Sequence, residues 1–133
     1  MANEEKRSYR VMAMQILYSM DMNNASYQEA LEFVNKELVT EEVTNLVKYV
    51  SDNLAKIDEI ITRSLTNYTI NRLNSVDKAI IRVSTAELLI GKLDKRIIID
   101  EALEITKLFS DEGNHKAVAF NNRLLQSISD NIK

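Results

Sequence analysis

Proline is absent from this chain, and glycine occurs only twice, at Gly91 and Gly113. Those two residues are the usual interrupters of a helix, one by removing a backbone donor and clashing with the preceding turn, the other by its flexibility. A chain of 133 residues that nearly lacks both is expected to be all-α. Five helices are predicted from the spacing of apolar residues. The first covers about 4–22, with Tyr9, Ala13, Ile16, Leu17 and Met20 on its main arc and Val11, Met14 and Tyr18 as a second patch. Asn23–Ser26 breaks it, because these side chains favour caps and turns. A second helix is predicted over 27–39. A third begins after Thr40, an N-cap with acids behind it, and carries a nearly continuous seam from Val43 to Leu65.

The fourth helix starts at a cap on Asn74 or Ser75 and stops at Gly91. Its apolar arc contains Val76, Ala79, Ile80, Val83, Ala86 and Ile90, and Glu87 falls inside that arc. A buried carboxylate needs a partner. A donor from the first helix or a loop is expected for Glu87, and Glu101 or Glu104 for Arg82; both roles are read as structural. Lys92–Asp100 is read as a loop entering a helix at about 98–110, and a last helix is expected over 114–131.

Several function classes are excluded or weakened. There is no cysteine, so thiolate chemistry, disulfides and thiolate metal sites are absent. The single histidine, His115, lacks the surrounding groups of a catalytic centre. Two separated glycines cannot form a phosphate loop. The acidic pairs lack the spacing of a calcium loop. No enzyme activity, catalytic residue, cofactor or metal is expected. No apolar run reaches the roughly 20 residues of a membrane span, and the first ten residues do not read as a signal peptide, so a cytoplasmic location is expected.

Net charge is −3, but it is unevenly spread. Residues 21–60 hold nine acids and three bases; residues 61–96 hold seven bases and three acids. An acidic protein can therefore still present a basic face. Lys6, Arg7 and Arg10 open the first helix, with Met14, Gln15 and Tyr18 on adjoining faces. Such groups can neutralise phosphate and contact a single strand. The same bases also suit a solvated helix end, with Glu4 and Glu5 beside them, and Met14 and Tyr18 also suit a core.

Three stretches, taken together, resemble the NusB family of transcription antitermination factors: "RSYRVMAMQILYSMD" (7–21), "SVDKAIIRVSTAELL" (75–89), and "IIIDEALEITKLFS" (97–110) followed by "FNNRLLQSI" (120–128). The resemblance implies a NusB-like fold of two small helical bundles packed together, about 1–66 and 67–133, forming one RNA-binding domain. It implies a non-enzymatic adaptor that binds boxA-type RNA of ribosomal RNA leaders together with NusE, a small ribosomal subunit protein, and so acts indirectly on RNA polymerase. By position, Lys6, Arg7, Arg10, Gln15, Phe109 and Phe120 would contact RNA, and Tyr18 and Asp77 would face NusE. The arginine motif is thin, interrupted by Ser8 and Tyr9, so a helical protein-interaction module without RNA recognition is the alternative. Some RNA methyltransferases carry a similar accessory domain, but these 133 residues hold no nucleotide-binding segment, so a catalytic part is not expected among them. An exposed Val11/Met14/Tyr18 patch would allow a homodimer.

Overall fold

The computed structural model describes the backbone of residues 2–132 and the side chains of residues 8–132. Its helices are α1 (Ala2–Asn23), α2 (Tyr27–Ala30), α3 (Glu41–Asp52), α4 (Leu54–Ser64), α5 (Ser75–Ile90), α6 (Lys95–Phe109) and α7 (Lys116–Ile132). No strand occurs among the described residues. The all-α expectation holds.

The best-read boundaries are those with a local chemical cause. Thr40 Oγ1 accepts from Val43 N at 3.3 Å and caps α3. Asn74 Oδ1 accepts from Asp77 N at 2.8 Å and caps α5. Gly91 ends α5 at φ +74°, a backbone conformation that costs a residue with a Cβ.

Three predicted boundaries are corrected. The expected helix over 27–39 is helical only to Ala30 and then breaks into two short 3₁₀ turns, Leu31–Phe33 and Lys36–Leu38. Asn35 accepts from Glu37 N at 3.0 Å, so a side chain competes with the helical ladder there. Phe33 and Leu38 are exposed, so little packing opposes the break. The long seam from Val43 to Leu65 is likewise two helices. Asn53 leaves helical geometry at ψ 19°, and its side chain donates to Tyr49 O at 2.9 Å. The helix expected from residue 98 starts at Lys95, because Asp94 accepts from Arg96 N at 2.8 Å and caps it.

α5 is the central rod. It packs against α1, α3 and α4 of the first half and against α6 and α7 of the second. Burial on several sides forces its polar residues inward. Ser84 and Thr85 satisfy their hydroxyls by donating to the carbonyls of Ile80 and Ile81, at 2.8 and 2.7 Å. The buried apolar residues, Ile98 apart, form one contiguous cluster with members from all seven helices.

α1 is also covered on more than one side, by α2, α3, α5 and α6. Met14 is buried, and Val11 and Tyr18 are half-buried against the core. The patch expected to stand exposed for self-association is therefore largely closed.

Arg82 does not reach Glu101 or Glu104 as expected. It makes a two-pronged bond to Asp58 of α4, Nε–Oδ1 2.9 Å and Nη2–Oδ2 2.8 Å. Asp21 of α1 lies 3.7 Å from its Nη1 and takes Lys78 at 2.9 Å. Three helices are tied together there.

Candidate nucleic-acid interface

Among the described residues, Arg10 lies towards one end of α5, and Asp77, Phe109 and Phe120 gather at the other. At one end, Arg10 of α1 enters the core. Projected down the helix, Arg10 falls between Leu17 and Met14, both buried, so it is carried inward with them. Only 3% of it is exposed, and Glu87 on α5 is 7% exposed. Arg10 Nε donates to Glu87 Oε1 at 2.6 Å. Tyr9 Oη donates to the other carboxylate oxygen at 2.7 Å. Glu101 of α6 lies 3.7 Å from Arg10 Nη1. The guanidinium also sits over the Tyr9 ring, 5.1 Å from its centre, where a cation is attracted to the π face.

This arrangement sets the titration of both partners. Burial works against the charge on Arg10, but the bond to Glu87 and its negative charge outweigh that, and the Arg10 pKa is raised. Burial raises the Tyr9 pKa above the phenol range, and the Glu87 charge and hydrogen bond raise it further. The expected partner for Glu87, a donor from the first helix, is thus found. The expectation that Arg10 stands clear to meet phosphate is corrected: the buried carboxylate claims it. Lys6 and Arg7 have side chains outside the described residues. Gln15 is half-buried on α1.

At the other end, Asp77 is 8% exposed. Its Oδ1 accepts from Ser110 Oγ at 2.6 Å and from Asn121 Nδ2 at 3.1 Å. Asn121 Nδ2 also reaches Thr106 Oγ1 at 3.1 Å. Asp77 therefore faces inward, which corrects its expected place on a partner-facing surface. Ser110 directly follows Phe109, and Asn121 directly follows Phe120. One carboxylate thus holds the residues that flank both aromatic candidates. Phe109 is 43% exposed; Phe120 is half-buried and meets Tyr68 edge-on. Asp77 and Glu87 are ten positions apart on α5, about 15 Å along the axis. Among the described residues, the candidates do not form a single pocket.

Sequence reasoning missed Tyr68, which contacts Phe120 from the connector after α4. Its only signal was an aromatic residue among polar ones in "TNYTIN" (66–71). His115 is exposed at the entry to α7, 3.7 Å from Asp111. No group of three or more metal-binding side chains occurs among the described residues. No helix of the described residues is long and apolar enough to cross a membrane.

Comparison with known proteins gives a consistent result. The model of the NusB family matches residues 7–130. The transcription antitermination protein NusB of Clostridium botulinum is 36% identical over 127 residues, covering 90% of this chain and 93% of the relative. That of Listeria innocua is 32% identical over 115 residues, covering 86% and 90%. Among solved structures, NusB of T. maritima matches with a TM-score of 0.79 at 28% identity, covering 93% of this chain and 89% of that one. A crystal structure of the antitermination factors NusB and NusE in complex with dsRNA matches with a TM-score of 0.78 at 26% identity, covering 96% and 97%.

Proposed function

The chain belongs to the NusB family, and on that premise we propose that it is a non-enzymatic RNA-binding adaptor of transcription antitermination. It takes boxA-type RNA together with NusE, and the assembly acts in turn on the elongating RNA polymerase. The observation that carries this reading is the likeness, over nearly the whole chain, to a NusB crystallised with NusE and double-stranded RNA. Lys6 and Arg7 supply phosphate contacts, since Arg10, three residues on, is spent on Glu87. Gln15 and Phe109 are the candidates for contacts to bases, and Tyr18 for the contact to NusE. Arg10 and Asp77 act from inside. Arg10 fixes α1 against α5, and Asp77 fixes the turn between α6 and α7.

A second reading, a protein-interaction module without RNA recognition, has one observation in its favour. Burial of Arg10 removes a base from a motif that was already thin. Retention on immobilised boxA-type RNA, measured with and without NusE, separates the two. The adaptor reading expects RNA to be held, and held more firmly with NusE. Capture of NusE with no RNA at any salt concentration selects the protein-only module.

A further inference from the structure

Tyr68 is 49% exposed, and its ring meets that of Phe120 with centres 5.6 Å apart at 68°. The Arg72 guanidinium lies over the Tyr68 ring, 5.9 Å from its centre. Beside this pair runs a groove of about 430 Å³ whose lining includes Thr66, Tyr68, Phe120, Arg123 and Ser127. Phe120, Arg123 and Ser127 are spaced three and four residues apart on α7 and so share one face. Among the described residues, no carboxylate lines the groove.

We infer that this groove is a nucleotide subsite for single-stranded RNA, a ligand contact separate from the opening turns of α1. One base stacks against the Tyr68–Phe120 pair, its phosphate meets Arg123, and Arg72 meets a neighbouring phosphate. Each part answers a requirement of that ligand. An aromatic face stacks any base, so the pair gives affinity without a sequence requirement. A guanidinium forks onto phosphate oxygens. The hydroxyls of Thr66 and Ser127 suit a ribose 2′-hydroxyl, which separates RNA from DNA. A lining without carboxylates imposes no repulsion on the phosphate. An acidic peptide would use the arginines but not the paired rings, so RNA is the occupant the chemistry favours.

This inference rests on the RNA-binding reading above and extends it from Phe120, where the resemblance already expects RNA, to Tyr68, Arg72 and Arg123. The test uses the full chain with NusE and a single-stranded boxA-type RNA carrying 4-thiouridine, photocrosslinked and mapped by mass spectrometry. Crosslinks are expected within residues 64–72 and 120–127. In parallel, Arg72→Gln and Arg123→Gln, both on exposed side chains, should each flatten the log–log salt dependence of binding by about 0.7. Tyr68→Leu should weaken binding roughly tenfold. RNA held by the wild-type chain with crosslinks confined elsewhere and unchanged salt slopes in both arginine variants overturns the subsite and leaves the adaptor reading standing. A wild-type chain that holds no RNA with NusE present overturns the adaptor reading, and the subsite falls with it.

Discussion

Arg10 on the first helix and Glu87 on the fifth form an ion pair of 2.6 Å inside the core, with 3% and 7% of their surfaces exposed. Taking either charge out of water is costly, and the pair offsets that only while both members remain. Glu87→Ala leaves a buried guanidinium with only the more distant Glu101, 3.7 Å away, and the Tyr9 ring beside it among the described residues, and should destabilise the chain by about 3–5 kcal/mol. Arg10→Met with Glu87→Leu should cost less than the sum of the single changes. Denaturant unfolding of wild type, Glu87→Ala, Arg10→Met, Glu87→Leu and the double variant checks this; strictly additive losses in the double variant would show that the two residues are not coupled.

Tyr9 completes the cluster and gives it a pH dependence. Its pKa is raised by burial and by Glu87, so the folded chain keeps the phenol proton at a pH where the unfolded chain releases it. The stability it contributes is fully present below the ordinary phenol value, about 10, and is lost as pH rises above that value toward the raised one. Tyr9→Phe should cost about 1 kcal/mol at neutral pH. The gap between wild type and variant should narrow as pH rises from about 10. Paired thermal melts across that range provide the measurement, and a gap that stays constant contradicts the assignment.

Asp77 should behave as a positioning residue. Asp77→Ala releases Ser110 and one of the two bonds of Asn121, and should cost about 2 kcal/mol of stability. Backbone amide exchange should rise at Ser110 and through the α6–α7 turn, and RNA affinity should fall although Asp77 touches no ligand. Unchanged exchange in that turn would remove Asp77 from the account.

Gly91 stands at φ +74°, and a Cβ placed there would meet only Leu89 O, at 3.9 Å. The strain in Gly91→Ala is therefore conformational, not steric crowding by a neighbour. A loss of about 1 kcal/mol is expected in denaturant melts, with RNA binding unchanged.

Much of this was legible in the residues, and the failures share a physical cause. The ends of α5 were legible because Asn74 and Gly91 act on their own backbone. The break at Asn53 was not, because the apolar seam runs across it and only a weak helix former marks it. The partner of Glu87 was legible as to element, since a carboxylate in an apolar arc demands a donor from a packed neighbour. Arg10 was misassigned because a guanidinium suits phosphate and carboxylate equally well. Its place between Leu17 and Met14 was the signal that it turns inward. Tyr68 and Phe120 are 52 positions apart in sequence, and only the packing of α4 on α7 brings them together.

The central claim is that this chain meets RNA through Lys6 and Arg7, the bases that precede the buried Arg10. The most direct measurement is the salt dependence of binding to boxA-type RNA with NusE present, for wild type and for Lys6→Ala with Arg7→Ala. Binding should weaken steeply with salt, and the double variant should lower the log–log slope by about 1.4, near 0.7 for each phosphate that is no longer neutralised. A double variant that binds as tightly as wild type at every salt concentration would contradict the account.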